Sequence, residues 1–193
     1  MATVPQVPDG DATIADLFAI AESERFHELV DGKITRKATP SAEHGTAQRK
    51  LGAMVEPFDH RPGGAWPGGW WLMTEVEVQL ATNQAFRPDL VGWRRDTVPE
   101  RPRGMPVTIR PDWVSEIVSK SNASNDRVTK LNTYHRYQIP YYWIVDPSEE
   151  TLAAYRWTAD GYLLTVAAAS GQRVRVEPFD AIELSIAEIF GHE

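Results

Sequence analysis

The sequence has no cysteine among its 193 residues. That excludes disulfides, thiol catalysis and cysteine-rich zinc sites, and it is consistent with a reducing interior. Long apolar runs are also missing: none approaches the ~18–20 residues that cross a bilayer, so no membrane association is expected. Residues 1–11 contain neither a basic residue nor the apolar centre of an export signal, and a cytoplasmic location is the expectation. Positive charge is scarce, with 20 Lys and Arg against 27 Asp and Glu, a net charge of -7 and a pI near 5.3. This balance excludes a protein that coats nucleic acid through many phosphate contacts. It does not exclude a nuclease, because a cation site needs local acids and a basic rim can sit on an acidic protein. Neither a phosphate-binding glycine loop nor a nucleophile elbow occurs, and His27, His44, His60, His135 and His192 show no zinc-ligand spacing.

What is present reads as one globular domain over residues 1–193, with residues 1–11 as a loose arm. Thr13 is placed to cap a short helix with Ile14, Leu17 and Phe18 on one stripe. Asp31-Gly32 between two strand-like runs predicts a hairpin. Ser41 opens a second helix, with Ala47, Leu51 and Val55 at helical spacing. Trp70 to Leu80 alternates as one half-buried strand, with Glu75, Glu77 and Gln79 on its polar side. Strands are expected at Arg87–Trp93, Asp112–Ser119 and Tyr141–Val145, with a helix from about Ser124 to Gln138 between the last two. A further hairpin turns at Asp160-Gly161. This order predicts an α+β fold, a mixed sheet flanked by helices, with a crossover from the Glu116 strand to the Tyr142 strand.

The chemistry-bearing residues gather between Phe86 and Tyr134. Asp89 follows a proline at the start of a strand, and Glu116 interrupts an apolar strand, where a desolvated carboxylate needs a partner. A hard divalent cation held by both acids is one solution. Pairing of Asp89 with Arg87 and of Glu116 with Lys130 is another. Asp126, Lys130 and Tyr134 recur at four-residue steps, as one polar stripe of the helix after the Glu116 strand. Arg94, Arg95, Arg101, Arg103 and Arg110, and earlier Lys33, Arg36 and Lys37, are candidates for a basic rim or an ordinary solvated surface. His44 could contact a phosphate or serve as a structural hydrogen-bonding residue. The tryptophans at 66, 70, 71 and 93 suit a core or an interface better than base stacking.

The ordered set Arg87-Pro88-Asp89-Leu90, Trp113-Val114-Ser115-Glu116-Ile117-Val118-Ser119, Asp126, Lys130, Tyr134 and Ile139-Pro140-Tyr141-Tyr142-Trp143-Ile144-Val145-Asp146-Pro147 resembles the Uma-type family of putative restriction endonucleases, within the PD-(D/E)xK nuclease superfamily. Glu28-Leu29-Val30-Asp31-Gly32 and Pro40-Ser41-Ala42-Glu43-His44 extend the similarity upstream. The resemblance implies a restriction-endonuclease-like fold and a phosphodiesterase site using Mg²⁺ or Mn²⁺. Asp89 and Glu116 match its metal-binding acids, Glu28 an additional acid, and Lys130 a lysine moved from strand to helix. Tyr134 matches a family tyrosine. Where many members keep the lysine, two residues after Glu116, this chain has Val118. Lys120 stands in place of the usual proline and rivals Lys130, while Gln138 stands in place of a usual glycine. The implied activity is hydrolysis of DNA, with a homodimer as the default for a small enzyme that must reach two strands. A non-catalytic module on the same fold and an RNA nuclease are the alternatives.

Overall fold

The computed structural model describes residues 10–119 and 125–192, and for 125–127 the backbone alone. Most of the expected N-terminal arm, through residue 9, and the expected helix start at Ser124 thus lie outside the described residues. Helix α1 (Ile14–Ala19) begins where the Asp16 carboxylate reaches back to the Thr13 backbone N–H at 2.8 Å, satisfying a donor that the helix leaves open. Strands β1 (His27–Val30) and β2 (Lys33–Arg36) pair around Asp31 and Gly32, at φ 47° and 74°, the backbone of a tight hairpin turn. The Ser41 hydroxyl caps α2 (Ala42–Val55) by accepting the His44 N–H at 3.3 Å. That helix buries Ala47, Leu51 and Val55 and ends in a 3₁₀ turn containing Pro57.

The chain then builds β3 (Trp70–Thr74), β4 (Val78–Ala81), β5 (Gln84–Phe86), β6 (Leu90–Arg94) and β7 (Trp113–Ile117). A π-helical segment, Asn125–Lys130, runs into α3 (Leu131–Arg136). Strands β8 (Tyr141–Asp146), β9 (Thr151–Thr158) and β10 (Gly161–Ala169) follow. A small pair, β11 (Arg173–Val174) with β12 (Leu184–Ser185), precedes α4 (Ile186–Ile189). The larger sheet has the order β10-β9-β8-β7-β6-β3; β7 and β8 run parallel and the other neighbours antiparallel. The helical connection between β7 and β8 is the expected crossover. A second sheet has the order β2-β1-β5-β4.

The run from Trp70 to Leu80 departs from the single strand expected. Glu75 takes φ 54° and breaks it, so that β3 lies in the six-stranded sheet and β4 in the four-stranded one. Glu77, expected on a wet face, is 3% exposed and bound to Arg87 at 3.2 Å. Burial pushes its carboxyl upward, against the opposing pull of the Arg87 guanidinium. The chain crosses back between the sheets at Arg87–Asp89.

One face of the large sheet packs Trp113 and Trp143 against Phe179, α2 and α4. Burial of such a ring is worth roughly 3–5 kcal/mol against truncation to alanine. The other face gathers Val114, Tyr134 and Tyr142, and a third cluster seats Leu17 of α1 on Leu29 and Ala85. No helix among the described residues is long and apolar enough to cross a membrane.

Candidate active site

Both crossings between the sheets occur side by side, because the Glu75 N–H bonds the Pro88 carbonyl at 3.2 Å. Glu75 and Asp89 are therefore neighbours although 14 positions apart in the chain. From the four-stranded sheet β1 adds Glu28, and from the six-stranded sheet β7 adds Glu116. The extended chain after β2 brings Lys37, the first turn of α2 brings His44, and the helical crossover brings Lys130 and Tyr134.

Asp89 is 1% exposed and is held at both oxygens. Its Oδ2 accepts the Ile117 backbone N–H at 2.7 Å. Its Oδ1 accepts Lys37 Nζ at 2.9 Å, with His44 Nε2 at 3.3 Å. Burial alone would raise its pKa. The His44 hydrogen bond and the positive charges of Lys37 and Lys130 outweigh burial and hold the carboxyl well below the usual range. Gln48, one turn beyond His44 on α2, donates to the Asp89 carbonyl at 3.0 Å and to Glu75 Oε1 at 3.3 Å.

Glu116, also 1% exposed, accepts the Tyr134 hydroxyl at 2.6 Å on Oε1 and Lys130 Nζ at 2.9 Å on Oε2. Lys130 in turn reaches Glu28 at 3.0 Å, and Glu28 accepts the Arg87 N–H at 3.3 Å. Burial first, and then the charges of Glu116 and Glu28, push the Tyr134 phenol far upward. It thus stays a protonated donor to Glu116. Lys130 and Tyr134 are 2% and 1% exposed, so this part of the polar stripe is buried. The segment is π-helical rather than a plain α-helix, and the side chain of Asp126 lies outside the described residues.

A cavity of about 20 Å³ is lined by Lys37, His44, Asp89, Glu116, Ser119 and Lys130, among others. That is room for about one water or one ion. It adjoins, through Ser119, a larger cleft of about 510 Å³ lined by Thr39, Ser41, Glu43 and Ser148 as well. Among the described side chains, the two lysines of this hollow pair with four carboxylates, those of Glu28, Glu75, Asp89 and Glu116, of which Asp89 and Glu116 line it. Ligand atoms of His44, Glu75 and Asp89 lie within 4.8 Å of one another. Oxygen ligands with one imidazole, around an ion-sized space, fit a hard or borderline divalent cation.

Of the residues singled out from the sequence, Asp89, Glu116, Lys130 and Glu28 come together, joined by His44 and Tyr134. Lys120 lies outside the described residues. The alternative pairing is half realised: Lys130 does hold Glu116, but Arg87 binds Glu77, and Lys37 takes Asp89. Of the basic-rim candidates, Lys37 reaches the acids, whereas Arg95 and Arg101 do not. Arg95 and Arg101 sit beyond the opposite end of β6, on Asp59 and over Trp71, and Arg103 and Arg110 are exposed. Sequence reasoning missed Glu75 and Gln48, and had Lys37 as a rim candidate rather than as the partner of Asp89. His44 and Gln48 at i and i+4 on one helix face were the available signal.

A family model described as Uma2, putative restriction endonuclease, matches residues 14–187. A crystal structure of a putative nuclease belonging to DUF820, from Anabaena variabilis, superposes with a TM-score of 0.71. It is 20% identical, and the alignment covers 92% of this chain and 97% of that one, a likeness that speaks for the fold. No curated protein matches the sequence.

Proposed function

The chain belongs to the Uma2 family of putative restriction endonucleases, and from that premise we propose that it hydrolyses phosphodiester bonds of DNA at the Asp89–Glu116 cavity with a divalent cation. The observation that carries this reading is the ion-sized hollow walled by both acids and both lysines, opening beside a hydroxyl-lined cleft. Asp89 and Glu116 would hold Mg²⁺ or Mn²⁺, with His44 and Glu75 beside them. When bound, such an ion supplies Lewis acidity toward a phosphoryl oxygen and toward water.

The protein's own groups do the rest. The Ile117 N–H fixes the Asp89 carboxylate, and the Tyr134 hydroxyl fixes that of Glu116. Each acid is thereby held in a set direction, with Asp89 Oδ1 turned to Lys37 and Glu116 Oε2 to Lys130. Glu28 anchors Lys130 at the cavity wall, where its ammonium would stabilise negative charge developing on a phosphate. Along the cleft Thr39 would offer a hydroxyl to the sugar-phosphate backbone, while those of Ser41 and Ser148 donate to Glu43 and Asp146.

The test is cleavage of single- and double-stranded DNA, and of RNA of the same sequence, with Mg²⁺ or Mn²⁺. DNA should be cut, and Asp89→Asn and Glu116→Gln should each lower the rate by at least about a hundredfold while the fold is retained. Intact DNA under all these conditions refutes the reading. Cleavage of RNA alone redirects it to an RNA nuclease, and unaltered rates in both variants assign the activity elsewhere.

A further inference from the structure

We propose that Lys37 is a resident cation standing on the oxygen atoms that a divalent ion would use, and that its ammonium must leave Asp89 before such an ion can bind; this rests on the metal-dependent reading above. Lys37 Nζ lies 2.9 Å from Asp89 Oδ1, 3.0 and 3.2 Å from the two oxygens of Glu75, and 2.7 Å from the Arg87 carbonyl. Two carboxylates and a carbonyl around one positive centre is the donor set that a hard cation takes. Because Asp89 Oδ2 is engaged by the Ile117 N–H, Oδ1 is the oxygen through which Asp89 can serve an ion. That is the atom Lys37 holds.

The two lysines of the cavity differ in a way that assigns the exchangeable role to Lys37. Lys130 is 2% exposed, spans two buried carboxylates and lies 5.8 Å from the Phe86 ring centroid, so it is sealed at the inner wall. Lys37 is 17% exposed, and its second acid, Glu75, is 43% exposed. Its ammonium can therefore withdraw from Asp89 toward the mouth and keep Glu75 as partner, without stranding a buried charge. The ammonium of Lys37 faces the same oxygens that an ion would take and competes with it as a charge. Its flexible stem and compact head suit such exchange better than a guanidinium fork would.

The experiment is calorimetric titration of Mn²⁺ into the full chain and into Lys37→Met. The variant should bind at least about tenfold more tightly, the scale on which a like charge beside a binding site acts. A second readout uses unaltered protein: acylation of amines, quantified residue by residue by mass spectrometry, with and without saturating Mg²⁺. Labelling of Lys37 should rise severalfold when Mg²⁺ is present, while that of Lys33, exposed on β2, stays constant. If wild type binds Mn²⁺ and Lys37→Met binds equally or more weakly, the proposal is overturned and the metal-dependent reading stands. If neither binds, both fall. Should the variant fail to fold, labelling of bound wild type decides alone, and unchanged Lys37 reactivity overturns the proposal.

Discussion

Asp89 stands at one end of β6 and Arg95 just past the other, and the charges gathered at the two ends are arranged on opposite plans. At the Arg95 end one acid, Asp59, receives two guanidiniums, from Arg95 at 3.2 Å and Arg101 at 3.1 Å. Both also lie over Trp71, at 3.4 and 5.0 Å from its centroid, and Arg95 donates to the Trp70 carbonyl at 2.6 Å. Planar, weakly hydrated cations stacked on an indole fill their surroundings and have no reason to leave. At the Asp89 end the cations are lysines, acids outnumber them among the described side chains, and an ion-sized hollow remains. Arginine with an aromatic partner closes a cluster; lysine among surplus carboxylates leaves one open to exchange.

The sharpest way to break this comparison is Lys130→Met. The ammonium lies between Glu28 and Glu116, each with a 2% exposed side chain, and removing it leaves two buried carboxylates without that counter-charge. A loss of about 3–5 kcal/mol is expected, measured by urea unfolding in the presence of a chelator, and added Mn²⁺ should restore part of it. A loss below about 1 kcal/mol would be that of a surface pair and would erase the distinction between the two ends.

A smaller effect should appear with pH. Asp89 is held below its ordinary value of 3.8 despite burial, by His44, Lys37 and Lys130. In the folded state it therefore keeps its charge at pH values where the unfolded chain takes up a proton. Its contribution is fully present above 3.8 and is lost as pH falls toward the folded value. The stability difference between wild type and Asp89→Asn should shrink by about 1–3 kcal/mol between roughly pH 5 and pH 2, read from urea midpoints. A difference that is flat over that interval would mean the carboxylate draws no net stabilisation from its neighbours.

How the two ends appear in the sequence explains what could be foreseen. Asp89, Glu116 and Lys130 are legible because an acid after a proline, an acid inside an apolar strand and a lysine on the following helix are local patterns with few uses. The hairpin at Asp31-Gly32 is equally local. Gln138, where the resemblance places a glycine, does adopt φ 55°, as a helix C-terminus often requires. Glu75 and the pairing of Lys37 with Asp89 were hidden by a different kind of information. Period-2 alternation continues through Trp70–Leu80 whether the chain stays in one sheet or changes sheets, so the break at Glu75 leaves no mark on the pattern. The burial of Lys130 and Tyr134 depends on β1 and β5 coming to lie over the crossover helix, a long-range fact that four-residue spacing cannot report. The arginines misled for the same reason, since closeness in sequence to Asp89 says nothing about which end of β6 they occupy.

The mildest test concerns Arg101, half exposed at 49% and sharing Asp59 with Arg95, whose side chain is 12% exposed. If the Arg95 end is closed scaffold, Arg95 alone keeps Asp59 neutralised and Trp71 covered. Arg101→Ala then costs no more than about 0.5–1 kcal/mol, less at high salt, because an exposed pair is screened and entropically costly to hold. Its Mn²⁺ affinity and its cleavage rate should equal those of wild type. Cleavage slowed severalfold at low salt, but not at high salt, would mean that this guanidinium reaches the nucleic-acid backbone. The far end of β6 would then carry a basic rim, and its distance from the acids would measure how far bound DNA extends along the sheet.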